Sequence, residues 1–564
     1  MSSNTGRLKD KLLSVVSRAG RWPFGRYVLP GLAGLVTLSA SMPALALNLY
    51  DGSAAGNGLE INLATTLSYT GLYRVNSPSA VLTGVANENS SEGDLNFRHG
   101  IVGNLFEAVP VLDIKDGDYG AHFSGELYLN TPYLGTNQNN QPETINPYSI
   151  AKNTDFTSAT RNVNGENARL LDAFVVGRHD FGGFGVASLK VGQQTLLWGQ
   201  SLFFASNGIA AGQAPIDLTT ADNLANPQTQ QIVLPIGQVV ATYQAPSGGL
   251  TVQGYYQYQW EQNVFEGVGA YFSVLDFYDK GGQRALLKPG EYLSRSPDIT
   301  PPPQNGQFGL SVQDTFGNYD VGLYALRYDA KAAEIYGSVG QGFGTPTPGG
   351  IYAGNYQIAY PRDIQLYGAS LSTTIGAANV AGEISGRRNM PLVAVFPGLV
   401  VIPASSPRSA NAGALYPVGS TMAAQASAIY LSPPLPLDPG GVSFAGELAF
   451  NHVISVTANK NQLAKNRQAS AAAFEFVVTP TYNDVLPALQ ITFPIGLEYS
   501  VLGRSEIDQT MQHGTGFFTV GVAGTYRYNW VASLTYKDFL GKPAIVYNER
   551  ADRGYLALNL QYTF

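Results

Sequence analysis

Residues 59–75 alternate for seventeen positions. Leu59, Ile61, Leu63, Thr65, Leu67, Tyr69, Gly71, Tyr73 and Val75 fall on one parity. Glu60, Asn62, Ala64, Thr66, Ser68, Thr70 and Arg74 fall on the other, with Leu72 the exception. Strand side chains alternate faces, so a period of two gives one apolar face and one polar face. Ordinary strands are about five or six residues long, and this one is far longer. The pattern returns at 250–261, 442–451, 518–526 and 556–564. In a soluble sandwich the apolar face would be the core. In a transmembrane barrel it meets lipid while the polar face lines a wet lumen. Long strands, Tyr near their ends, and tight turns alternating with long polar insertions favour the barrel. Asp116-Gly117-Asp118, Gly182-Gly183 and Ser247-Gly248-Gly249 are the tight turns; 132–167, 262–305 and 390–419 are the insertions.

Nineteen alternating segments can be marked, and an antiparallel bacterial barrel needs an even number. Reading 319–340 as one long strand gives an all-β antiparallel barrel of about 18 strands. No stretch of the mature chain reads as an apolar spanning helix. The longest uncharged apolar run, 389–407, is broken by Pro391, Pro397, Pro403 and Pro407.

Charge supports the same reading. Residues 1–26 hold Arg7, Lys9, Lys11, Arg18, Arg21 and Arg26 against Asp10; an uncharged, mostly apolar stretch and Ala44-Leu45-Ala46 follow. These are the parts of a secretory signal peptide. The expected domains are a signal peptide over 1–46 and an outer-membrane barrel over 47–564. Without the leader, 27 bases face 39 acids, a balance of about −12, which offers no basic face to nucleic acid. The chain has no Cys, which excludes disulfides, thiolate metal sites and Cys nucleophiles.

Several stretches resemble a proteobacterial outer-membrane family catalogued as domain of unknown function 1302. They are the strand after Asp51-Gly52, then 168–201 (ARLLDAFVVGRHDFGGFGVASLKVGQQTLLWGQS), 306–328 (GQFGLSVQDTFGNYDVGLYALRY), 359–392 (AYPRDIQLYGASLSTTIGAANVAGEISGRRNMPL) and the C-terminus from about 486. The family's usual Gly-Lys-Gln before the Trp reads Gly192-Gln193-Gln194 here, and its Asn-Pro-x-Asp reads Ala214-Pro215-Ile216-Asp217. The resemblance implies an outer-membrane barrel, often grouped with machinery for hydrophobic compounds such as terpenoids or steroids.

Parity also nominates a lumen. With the apolar parity toward lipid, Glu383, Ser385 and Arg387 face inward, as do Glu126, Glu261 and Glu447. Asp363 and Gln365 are expected to open the neighbouring strand on the inside. Charges at bilayer depth are tolerated only facing water or each other, so these residues either orient a solute or brace the wall. Residues 199–231 join two strands without alternation and carry Leu202, Phe203 and Phe204 just after Trp198. A water-exposed loop has no use for Leu-Phe-Phe, so a constriction folded into the lumen is expected. The uncharged cluster in 389–407, including Phe396, Val400 and Ile402, is expected to meet 199–231 and form a greasy capture surface at one mouth.

His99, His122, His179, His452 and His513 show no ligand spacing, and no nucleophile motif is present. No enzyme activity, metal or cofactor is expected. The reading is a passive outer-membrane channel for small hydrophobic or amphipathic molecules. A docking barrel for an export or lipid-transfer system, with periplasmic or inner-membrane transport components as partners, and a general hydrophilic porin are the other classes. The expected partners of the channel are outer-membrane lipid and a small-molecule solute.

Overall fold

The computed structural model describes residues 47–564 except 53–57, 141–152, 226, 279–280, 289, 299–300, 340–344, 348–349, 395–398, 403–412 and 436–439. Residues 1–46, the expected signal peptide, lie outside the described residues.

Antiparallel strands pair in sequence order from Leu59–Arg74 and Gly100–Asp116 round to Trp530–Leu540 and Tyr555–Thr563. The last strand pairs with the first, Thr66 opposite Thr563 and Arg74 opposite Tyr555, which closes the wall. Twenty segments make this sheet, but two pairs of them share a lane. Leu489–Thr492 and Ile495–Leu502 are one strand interrupted at Pro494. Leu47–Asp51 pairs with Glu60–Leu63, continuing the lane where Thr563 stops. The result is a closed barrel of eighteen strands. Closure matters because lipid satisfies no backbone group. No helix among the described residues is long and apolar enough to cross a membrane.

The eighteen strands arise differently from the sequence expectation. Residues 319–340 are not one strand. Tyr319–Tyr328 belongs to the wall, whereas Glu334–Val339 belongs to a second, six-stranded sheet. Asp329-Ala330-Lys331, with Asp329 and Lys331 buried, ends the wall strand and lifts the chain off it. The second sheet is ordered Leu399–Ile402, Glu334–Val339, Gly350–Ala359, Glu291–Arg295, Arg284–Lys288, with Thr345–Thr347 beside Gly350–Ala359. All its strands come from the long connections at one end of the barrel. Two of its pairings are parallel, because the segments arrive from separate loops rather than from hairpins.

The loops of this end also meet each other. Arg553, fully buried, donates to Tyr271 O at 2.7 Å, Ser273 O at 2.5 Å and Asp94 Oδ2 at 3.1 Å. Arg74 holds the other oxygen of Asp94 at 2.8 Å. Burial beside Asp94 pushes the Asp552 carboxyl up to about 6. The connection after Thr251–Gln257 thus reaches loops rooted five or more strands away, so it crosses the mouth. The opposite end has tight turns and a belt of exposed aromatics, among them Tyr119, Phe184, Phe316, Tyr319, Tyr528 and Trp530. Aromatic girdles of this kind sit at membrane–water interfaces.

Facing follows parity. Leu67, Leu127, Leu170, Leu310, Leu323, Ile384 and Leu448 are exposed on the outer wall, while Thr66, Thr70, Glu107, Ser385 and Asn559 are buried inside. A Lys at a lipid-facing midplane position costs about 2–4 kcal/mol. Leu67→Lys should therefore impair refolding into lipid far more than Asn62→Lys. Heat-modifiable mobility on gels reads the folded fraction, and equal effects would contradict the facing.

Candidate functional site

Val186–Gln194 and Ile236–Gln244 are neighbours in the wall, yet the chain between them runs from 195 to 235. Instead of turning tightly it enters the lumen. There it has no regular sheet to join, so its backbone groups need side-chain partners. Two wall glutamates supply acceptors. Glu383 accepts from Gln200 N at 2.5 Å and Ile209 N at 2.9 Å. Glu447 accepts from the amides of Leu202 (3.1 Å), Phe203 and Phe204 (2.9 Å). Arg387 supplies the donors, reaching Asn207 O at 2.8 Å and Gly208 O at 2.6 Å. Gln425 donates to Phe204 O at 2.7 Å. The fit is close: Gly199 has φ +101°, and a Cβ there or on Gly208 would strike the Glu383 carboxylate. Such a φ favours glycine.

The far half of the segment is tied to the opposite side. Asp217 caps the short helix Leu218–Asn223 by accepting from Thr220 N at 2.9 Å and pairs with Arg169. Arg169 also holds Glu126 at 2.5 Å and donates to Thr220 Oγ1 at 3.0 Å. Gln231 donates to Glu126 Oε1 at 2.6 Å and to Glu107. Arg550, from the last long loop, clasps Asp222 with contacts of 3.0 and 2.8 Å. The first half therefore rests on Ala378–Pro391, Val418–Leu431 and Val442–Ala458, and the second on Gly100–Asp116, Tyr119–Asn130 and Glu166–Asp180. The segment bridges the lumen.

Apolar packing completes the hold. Trp198 is buried with its ring 5.1 Å from Tyr255 and 5.9 Å from Tyr324, and its Nε1 donates to Gln253 Oε1 at 2.7 Å. Ile209, Leu326, Ile364 and Leu366 join the same cluster. Phe204 packs on Ala449, Ala471, Ala473 and Met511, with Phe203 alongside, and Leu202 is buried.

Several expected positions stand elsewhere. Gln365 is exposed on the outer parity with Tyr367; Ile364 and Leu366 take the inner face because Ile209 packs there. Asp363 precedes that strand, with φ +60°, and pairs with Arg327 at the exposed rim. Glu261 lies past the end of Thr251–Gln257, exposed, accepting from Gln259 at 2.6 Å. Val400 is not a capture residue: it is fully buried with Tyr336, Ala394, Tyr416 and Val418. Leu399–Ile402 is a strand of the second sheet, its Ile402 paired with Ser338. Phe396 lies outside the described residues. Among the described residues Phe204 and Val400 belong to separate clusters and do not meet. Glu126, Glu383, Arg387 and Glu447 are all buried inside, gripping the inserted segment rather than each other across open space. Glu107, Arg169 and Gln425 carry the same inward parity on their strands, whereas Gln231 stands on the inserted segment, where no alternation marks it.

A hydrogen bond to a charged group is worth about 1.5–3 kcal/mol, so Glu447 and Glu383 together hold the segment by several such increments. Glu383→Ala with Glu447→Ala should free 199–213 while the wall stays closed. Single-channel conductance should rise and protease should cut within 199–213. Unchanged conductance and resistance would contradict this anchoring.

No curated protein matches the chain. Among solved structures, it is similar to OccAB4 of Acinetobacter baumannii at 8% identity, covering 89% of this chain and 98% of that one with a TM-score of 0.42. OccK9 (OpdG) of Pseudomonas aeruginosa gives 12% identity, 89% and 98% coverage and a TM-score of 0.41. A BenF-like porin from Pseudomonas fluorescens Pf-5 gives 11%, 90% and 98%, and 0.41. The family model described as protein of unknown function, DUF1302, matches residues 28–564, and the chain belongs to that family.

Proposed function

We propose that the chain is an outer-membrane channel for passive passage of small hydrophobic or amphipathic molecules. The observation that carries this reading is the segment 195–235, fixed across the lumen from both sides, with Trp198 and Phe204 packed against the wall and Phe203 beside them. A general hydrophilic porin needs an open aqueous lumen; a bridged lumen under crossing loops favours a selective path along aromatic and apolar side chains. The chemistry needed is binding and release at successive weak sites, with no bond made or broken. On this reading the mature chain starts after Ala46, and the partners are lipid outside and a small solute within.

Two measurements test it. Purified protein in planar bilayers should conduct weakly, and cells making it should take up an apolar solute faster than cells lacking it, with little gain for a small sugar. A silent bilayer without faster uptake would instead favour a docking barrel, and large conductance with fast sugar uptake a general porin. N-terminal sequencing of the protein from outer membranes should begin Leu47-Asn48-Leu49; a mature form retaining residues 20–40 would contradict the processing.

A further inference from the structure

Three glutamates stand side by side on the inner wall. Glu447 lies opposite Glu475 in register, and Glu475 opposite Glu498. They occupy neighbouring strands at one level of the barrel, and cross-strand neighbours in such positions are close enough for like charges to repel. Only Glu447 is consumed by the inserted segment, through the three amides of 202–204. Glu475 is 3% exposed, and its Oε2 has no hydrogen-bond partner. Neither Glu475 nor Glu498 forms an ion pair with any described residue. A buried carboxylate oxygen without a partner is costly, which points to a missing donor.

The surroundings define that donor. Glu498 is part-exposed, so the pair opens onto lumen space. Next along the same level is Phe517, opposite Glu498, followed by Phe539. The wall already places one ammonium here: Lys537 Nζ lies 4.1 Å from the Phe517 ring centre and 5.4 Å from that of Phe539. Aromatic faces attract such cations, and acidic rings select cations in channels. Carboxylates beside aromatic rings suit a singly charged cation with an apolar body.

We infer that Glu475 and Glu498, flanked by Phe517 and Phe539, form a subsite for the ammonium group of an amphipathic solute. The inference rests on the channel reading and names its solute class: the carboxylates take the ammonium by charge-assisted hydrogen bonds, and the rings take the apolar body. Lys537 sets the strength of the site by its own positive charge.

The test uses the whole mature protein in planar bilayers. Under a KCl gradient the wild-type reversal potential should show cations several-fold more permeant than chloride, and Glu475→Gln with Glu498→Gln should bring that ratio to about one. Lys537→Met should raise it. With benzylammonium replacing potassium on one side, the reversal potential should show benzylammonium permeating; its exclusion would overturn the assignment to an ammonium-bearing solute. Chloride preference in the wild type, or an unchanged ratio in a double variant that keeps its heat-modifiable fold, would overturn the site. A silent bilayer without faster apolar uptake refutes the channel reading alone. Calorimetry of benzylammonium on the folded protein in detergent then decides: heat lost in the double variant sustains the site, and no heat with the wild type overturns it.

Discussion

A polypeptide segment placed inside a barrel brings its own amide and carbonyl groups into a space walled by side chains, and each of those groups needs a partner. In this protein the partners of 199–213 come from a few charged and amide side chains on the wall. Glu383 and Glu447 collect five amides between them, while Arg387 and Gln425 collect carbonyls on the same stretch. Without such pairing the lumen would be wider and the apolar inner residues would face water. Ile364, Leu366 and Ala473 are tolerable inside because the segment covers them.

The inward charges serve a use between those that parity alone offered. They neither line an open pore freely nor brace one wall against another. They hold a third element, the bridge, and the bridge connects opposite sides. Arg169 joins both descriptions, since it pairs with Glu126 on the neighbouring strand and with Asp217 on the bridge. Buried ion pairs of this kind contribute less to net stability than to fixing one arrangement.

Much of the wall was legible because lipid and water impose a strict alternation on it. Leu67 and Thr66 fall on the faces that their hydropathy assigns, and Glu383 and Arg387 share one inner face. Parity failed where a third environment replaced water. Gln365 faces outward because its inner neighbours, Ile364 and Leu366, meet the bridge instead of solvent. The second sheet was illegible for another reason. Glu334–Val339 alternates like a wall strand, but its pairing with Leu399–Ile402 and Gly350–Ala359 joins distant loops, and no local pattern records that register. Val400 looked like an exposed apolar residue for the same reason: its cover comes from Tyr336 and Tyr416, far along the chain.

The segment 195–235 lies across the lumen and touches the wall strand Val442–Ala458. Asn207 and Asn451 meet there, with amide nitrogen to amide oxygen at 3.1 Å. The chain has no Cys of its own, so a pair of cysteines can be placed without competition. Asn207→Cys with Asn451→Cys, oxidised or treated with the shortest bifunctional thiol reagent in intact cells, should crosslink within one chain as readily as Ala449→Cys with Ala473→Cys, directly opposed in the wall. A wall pair that crosslinks while the bridge pair does not would contradict a segment held inside the barrel.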